Sequence, residues 1–327
     1  MFKVSIIVPN YNHASYLQQR MDSILLQTFK DFEVILMDDN SSDNSRQIIE
    51  SYRSLPHVKI IFNEFNSGSS FKQWNKGVKE SSGEYIWIAE SDDVADKDFL
   101  STLVPILDNN PDAALVYSQS YEINPKGYIT GTWFDHTKQL DPARWATDFI
   151  MPGNEIIRKY MIYHNCVPNA SGVLFRKGKM EAIGMADETF QLNGDWLFWI
   201  KLMENSSIAF VAKYLNYFRK HDSSVRSTLY KIGTGIYEYS RIIAYVFSRG
   251  QFDKKGKRKI VVRFYSILKW SPVFVSMRLE LKAFKLLRNS YANLIKYDRL
   301  AIWLFAKHLF RRFCLLYLYM IFQSIFH

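Results

Sequence analysis

The stretch that decides the fold is VSIIVPNYNHASYLQQRMDSILLQTFKDFEVILMDD, residues 4–39. Val4–Val8 is a short aliphatic run of strand character, ended by Pro9 and Asn10. The next segment places Leu17, Met21, Ile24 and Leu25 at helical spacing. Phe32–Asp38 is a second strand. The same alternation continues outward: a helix over 43–54, a strand over 58–63, a helix over 70–81 and a strand over 85–91. Strand–helix–strand units of this length imply parallel strands joined by crossover helices. The expected architecture is an open, doubly wound α/β sheet, in which ligands sit beyond the carboxyl ends of the strands.

Polar residues gather where that rule puts a site. PNYNH follows the first strand, DDNSSD the second, NEFNSGSS the third and ESDD the fourth. The fourth strand is the sharpest case. YIWIAESDDVAD, Tyr85 to Asp96, runs from aromatic and aliphatic residues straight into Glu90, Asp92 and Asp93. Carboxylates this close repel one another unless a cation or hydrogen-bond donors intervene. Mg²⁺ commonly takes one or two protein carboxylates and completes its shell with water and phosphate. The plain structural alternative is that Asp92 and Asp93 cap the following helix. Asp38 and Asp39 after the second strand suit the hydroxyls or ring N–H of a nucleotide, and equally suit turn chemistry with Asn40–Asp43. Tyr11 can lie flat on a base.

Beyond Ser101 the alternation loosens. A helix is expected at 103–110, strands at 113–123, 171–178 and 209–221, and a helix at 193–205 that opens on Asn193, Gly194 and Asp195. The polar stretch 124–152 reads as a loop over the site. Trp87, Trp196 and Trp199 suit the core better than a ligand platform. From 226 on the chain is helical and basic, with KKGKRK (254–259) as a solvated turn and a break at Ser271–Pro272. Its last uncharged run, Phe313 to Phe326, has 14 residues. That is roughly 21 Å of helix, too short for a bilayer core, so an interfacial helix is expected.

Composition is that of a globular protein, 48% hydrophobic and 23% charged over 327 residues. The net charge of +10 is unevenly held. Residues 1–225 carry 22 Lys and Arg against 28 Asp and Glu, a net −6; residues 226–327 carry 20 against 4, a net +16. The expected division is a catalytic domain over 1–225 and a basic, amphipathic helical region over 226–327. Such a region meets something anionic. Its cations alternate with aliphatic and aromatic residues and match no nucleic-acid reader, so an anionic membrane surface is expected and nucleic acid is not. Cys166 and Cys314 are far apart and suit a reducing cytoplasm. The opening MFKVSIIVPNYN is a first strand and not a signal peptide.

These segments together, residues 3–100 and then SGVLFRK, GDWLFWIKL and YFRKHDSSV, resemble the family 2 glycosyltransferases. The resemblance implies a GT-A fold, a Rossmann-like mixed sheet flanked by helices. It implies an inverting transfer of sugar from a nucleotide-diphosphate donor, UDP-sugar above the rest, to a glycan or lipid-linked oligosaccharide, assisted by Mn²⁺ or Mg²⁺. Carried over by position, it puts Pro9 and Tyr11 around the base, Asp39 on the base N–H, Asp92 on the ribose and Asp93 on the metal. It makes Asp195 the general base and His221 a metal or diphosphate ligand. Glu90 stands where many members have Asp, and Trp74 where many have Arg; Lys72 is the candidate diphosphate contact in its place. The implied location is cytoplasmic, peripheral at the inner face of the cell membrane. The rival reading is a non-catalytic domain of this fold whose basic C-terminal region binds a membrane or nucleic acid. A nucleotidyltransferase would need a Gly-rich, Arg- or Lys-bearing loop after the first strand, and PNYNHASY has no glycine.

Overall fold

The computed structural model describes residues 2–221, 234–270, 281–304, 306–307 and 310. The chain divides into two compact units, residues 1–222 and 223–327.

The first unit is built on one mixed sheet. Its strands are β1 (Val4–Asn10), β2 (Phe32–Asp38), β3 (Val58–Phe62), β4 (Tyr85–Ile88), β5 (Val94–Ala95), β6 (Ala113–Ile123), β7 (Ile129–Thr132), β8 (Phe149–Pro152), β9 (Val173–Arg176) and β10 (Ser207–Arg219). They run in the order β3-β2-β1-β4-β9-β6-β10-β5, with β7 on β6 and β8 on β10. β1, β2, β3 and β4 are parallel, as the alternation requires, and β9 is antiparallel to both neighbours. All seven residues of β1 are buried, which is why that strand is a continuous apolar run.

The register explains the site's position. Asn10 at the end of β1 lies opposite Asp38 at the end of β2. On the other side β4 stops at Ile88, opposite Ile7. The main-chain polar groups of Ile7 face β4, since its carbonyl accepts from Ala89 N–H at 2.8 Å. Pro9, two residues on, faces the same way, where β4 has already left. A proline costs this central strand no ladder hydrogen bond there, and the sheet opens into a cleft between the two strand ends.

The helices that matter for the site are α1 (Ala14–Leu25), α2 (Ser45–Glu50), α3 (Ser70–Lys79) and α4 (Phe99–Asn109). α1 turns Leu17, Met21 and Ile24 into the core, as their spacing predicts, and Arg20 with them. α3 crosses β1 and β2 so closely that a Cβ on Gly77 would overlap the Ile7 side chain and touch Met37 Sδ at 3.0 Å.

Three expectations are revised. The stretch 124–152 is no bare loop: it holds β7, the short helix α5 (Phe134–Thr137), a 3₁₀ turn at Arg144–Ala146 and β8. β7 and β8 are only four residues each, too short for their pairing to be legible locally. KKGKRK is not a turn but the first turns of a helix, Lys254–Trp270. Its lysines and arginines are good helix formers, and Asp253 starts it by accepting Gly256 N–H at 2.7 Å. Val94–Ala95 pairs with Tyr217 and Asn216 of β10 as the extra strand β5.

The second unit contains the helices Thr234–Ser248, Lys254–Trp270 and Leu281–Ile295. They bury their own apolar faces, with Ile242, Ile243, Val246, Phe264, Leu268, Tyr291 and Leu294 nearly or fully inaccessible. Among the described residues no helix is long and apolar enough to cross a membrane. The run 313–326, Cys314 and the Ser271–Pro272 break lie outside the described residues.

Gly77→Ala tests the close crossing of α3. Overpacking of this kind typically costs about 1–3 kcal/mol, so the midpoint of thermal unfolding should fall clearly below that of the parent chain. An unchanged midpoint would mean that α3 is not tied to β1.

Candidate active site

Two turns close the first side of the cleft. Asn12 and Asn40 adopt left-handed backbone, φ 56° and 61°, a conformation asparagine tolerates better than most residues. The turns are tied together: Asn12 N–H donates to Ser41 Oγ at 2.9 Å, and Asn12 Oδ1 accepts from Ser42 N–H at 2.8 Å. Asp38 serves this junction, accepting from Asn10 Nδ2 (2.9 Å) and from Ser41 Oγ (2.6 Å) and N–H (3.0 Å). Asp39 is also heavily used. It accepts from Asn63 Nδ2 at 2.7 Å, Ser67 N–H at 2.9 Å, Ser67 Oγ at 2.8 Å and Gln73 Nε2 at 2.9 Å. Lys72 is exposed and donates to the Ser67 carbonyl at 3.3 Å. Asp39 and Lys72 therefore meet at Ser67, Asp39 through its N–H and hydroxyl and Lys72 through its carbonyl. Pro9 is buried in β1, and Tyr11 is 47% exposed at the mouth of the cleft.

The acidic turn after β4 separates its carboxylates into different roles. Asp93 is 1% exposed. It accepts from Asn169 Nδ2 at 2.6 Å and from Arg219 N–H at 2.8 Å. Burial, then the charge of Asp92, pushes its pKa up to about 7. Glu90 accepts from Trp74 Nε1 at 2.9 Å; burial, then Asp92, pushes it up to about 8. Asp92 behaves in the opposite way. Burial alone would raise its pKa, but the hydrogen bond from His221 and the nearby His13 hold it below the usual carboxylate range. Asp92 thus keeps the negative charge.

Asp92 is also the carboxylate that meets the imidazoles. His221 Nε2 lies 3.0 Å from Asp92 Oδ2, and the His13 and His221 rings are 5.5 Å apart, edge to face. One ligand atom from each of His13, Asp92 and His221 falls within 4.8 Å of the others. Burial lowers the pKa of His13, and its Nδ1 is 2.9 Å from Ser91 Oγ. Two imidazoles and a carboxylate make a donor set that fits a divalent ion of the first transition series better than Mg²⁺. The sequence reading puts the metal on Asp93 and the ribose on Asp92; the structure instead brings Asp92 and His221 together with His13, and turns Asp93 inward. Asp93 follows Asp92 directly in a tight turn, Asp93 N–H to the Glu90 carbonyl at 3.2 Å, so the two side chains leave it in different directions.

Several residues that build this arrangement escape a sequence reading. Arg219 donates from Nε to the Asp92 carbonyl at 2.7 Å and from one terminal nitrogen to Gln19 Oε1 at 2.7 Å, joining the acidic turn to α1. The signal for it was the motif YFRKH, read only for its histidine. Arg20 is fully buried, its guanidinium carbon 4.9 Å over the Trp87 ring. None of its guanidinium nitrogens has a hydrogen-bond partner among the described residues. Burial pulls its pKa down to about 10, while Asp93, Asp92 and Glu90 push it back up. The signal was its place one residue from Met21 on the apolar face of α1. The two departures from the family pattern, Trp74 and Glu90, turn out to be hydrogen-bond partners.

Asp195 is the second residue of α8, our label for Gly194–Met203 after the short helices α6 (Gly153–Ile156) and α7 (Lys177–Ala182). It is partly buried. Oδ1 accepts from Trp196 N–H at 2.7 Å, and Oδ2 from Asn165 Nδ2 at 3.2 Å. A Cβ on Gly194 would come within 2.5 Å of the Phe71 ring, so glycine lets α8 start against α3. Asn165 and Asn169 belong to one loop; the first holds Asp195 and the second holds Asp93. Trp87 and Trp199 are fully buried, and Trp196 is half-buried with Nε1 donating to the Met161 carbonyl at 2.8 Å.

The family model described as glycosyl transferase family 2 matches residues 5–166. The chain belongs to that family. Among curated proteins it is 26% identical over 268 residues to the poly(ribitol-phosphate) beta-N-acetylglucosaminyltransferase TarS of Staphylococcus aureus, covering 81% of this chain and 44% of TarS. The chain thus spans less than half the length of that relative. The crystal structure of S. aureus TarS 1-349 in complex with UDP-GlcNAc superposes with a TM-score of 0.69 at 22% identity, covering 89% of this chain and 81% of that one. A mannosyltransferase from Pyrobaculum calidifontis in complex with GDP-Man and Mn²⁺ gives 0.57 at 15% identity, covering 96% and 87%. The fold is GT-A, with additional helices at the C-terminal end.

Removal of the Trp74 donor tests the Glu90 pairing. Trp74→Phe leaves a buried acceptor unmet, at a cost of about 1–3 kcal/mol. The double variant with Glu90→Leu should lose less than the two single losses added. Strict additivity would show that the pair does not interact.

Proposed function

We propose that this family 2 glycosyltransferase moves a sugar from a UDP-sugar, with inversion, to a hydroxyl of a glycan or lipid-linked acceptor. The observation that carries the reading is the cluster of His13, Asp92 and His221 at the carboxyl ends of β1, β4 and β10, within one cleft. The UDP-GlcNAc complex of TarS favours UDP-GlcNAc as the first donor to try. The Mn²⁺ complex of the mannosyltransferase and the two imidazoles favour Mn²⁺ over Mg²⁺.

In this reading Tyr11 stacks on the uracil and Pro9 shapes the floor beneath it. Asp39 reads the base N–H by exchanging one of its present donors, of which Ser67 Oγ is on the more adaptable loop. Lys72 is placed by the same loop to meet the diphosphate. His13, Asp92 and His221 would hold the divalent ion, which when bound supplies Lewis-acid stabilisation of charge on the leaving diphosphate. Asp93 is a positioning residue: with Asn169 and the Arg219 backbone it fixes the turn that presents Asp92. Asp195 removes the proton of the acceptor hydroxyl as that oxygen attacks the anomeric carbon from the face opposite the diphosphate. Bond making and bond breaking on opposite faces invert the centre. Asn165 orients Asp195 through its hydrogen bond to Oδ2. The anionic membrane surface is the proposed working place, at the cytoplasmic face.

The test separates binding from chemistry. Asp195→Asn should retain UDP-GlcNAc binding while transfer falls about 10²–10⁴-fold, the range for a positioned base; equal loss of binding would remove Asp195 from that role. His13→Ala and His221→Ala should each weaken Mn²⁺-dependent UDP binding strongly. If Asp93→Asn weakens it more than either histidine variant, Asp93 and not the histidine cluster holds the ion.

A further inference from the structure

The second unit contains a cavity of about 620 Å³ between the start of the helix Lys254–Trp270 and the segment 295–300. Four cations line it: Lys254 and Arg258 from the helix, Lys296 and Arg299 from the segment. All four are exposed, and none forms an ion pair among the described residues. Asp298 is the one acid in the lining, and its Oδ1 already accepts Leu300 N–H at 2.9 Å.

This arrangement is electrostatically costly as it stands. Lys254 and Arg258 are four residues apart on one helix, where like charges repel. They stand at the amino end, where the helix dipole disfavours cations, and the first turn has no acid. Lys296 and Arg299 bring two more positive charges to the same hollow. At physiological salt, charges act together only within about 8 Å, so the four combine mainly on a group inside the cavity. Tyr297, Ile295 and Leu300 complete the walls with apolar surface.

We infer that this cavity binds a phosphate-bearing anion. Lysine meets phosphate as a compact charge and arginine as a two-pronged donor, and the apolar wall suits a phosphate attached to a carbon skeleton. The source is either a lipid headgroup or a phosphate on a soluble molecule. The inference does not rest on the transferase reading, because the site is built within the second unit alone.

The test uses the full chain in EDTA, with pyrophosphate as the titrant and sedimentation with phosphatidylglycerol or phosphatidylcholine vesicles as the second arm. Saturable pyrophosphate binding is expected. Lys296→Gln/Arg299→Gln should weaken it at least about tenfold. Lys255→Gln/Lys259→Gln removes the same charge from exposed positions outside the cavity and should change it less than about twofold. Competition between pyrophosphate and phosphatidylglycerol vesicles would support the site with a headgroup as its source; pyrophosphate binding with no vesicle binding would support it with a soluble source. No saturable binding, or equal loss in both double variants, overturns the site. Mn²⁺-dependent UDP binding measured on the same folded variants reports separately on the donor cleft.

Discussion

Everything at the working end of this protein follows from three carboxylates placed at the end of a buried strand. Glu90, Asp92 and Asp93 follow β4 within five residues, and three full charges there would repel strongly. The structure resolves this by unequal treatment. Asp93 is buried and surrounded by donors, Glu90 is paired with an indole, and only Asp92 is held in its charged form by imidazoles. A fully buried Arg20 behind them supplies positive charge, its guanidinium without a hydrogen-bond partner among the described residues. Asp92 meets the two imidazoles, where a divalent cation would find its ligands.

That solution recruits distant parts of the chain. Arg219 closes the acidic turn from β10, Asn169 comes from the loop before β9, and Trp74 comes from α3. The same loop that holds Asp93 also holds Asp195 through Asn165. The turn presenting Asp92, the candidate metal ligand, and the candidate base therefore share one support, although they lie about a hundred residues apart in sequence. A GT-A sheet makes this economical, since parallel strand ends converge on one edge. Trp74 and Glu90, the two positions where the resemblance expects other residues, are paired with each other.

The first four strands and their helices were legible because each follows a clean period, and the strand-end rule then located the cleft. The mixed nature of the sheet came only with the resemblance, since β9 looks the same in sequence whichever way it runs. β5 is two residues long and β7 and β8 are four each, so only their partners define them. Within the site, Asp92 and His221 were legible as candidates, but their union with His13 was not. His13 sat unexamined in PNYNH, and which of two adjacent aspartates faces the cleft depends on a turn fixed by Arg219, more than a hundred residues away. Arg20 breaks the polar-outside rule on α1, and only its burial over Trp87 reveals it. Asp39 shows the reverse difficulty: its position after β2 was clear, yet its present donors all come from the 63–73 segment.

The most direct test of this account is electron spin-echo spectroscopy of Mn²⁺ bound to the chain in the presence of UDP. The account predicts nitrogen couplings from two imidazoles, one lost in His13→Ala and the other in His221→Ala. A Mn²⁺ signal with UDP bound but no imidazole nitrogen coupling would contradict it and return the metal to the aspartates alone.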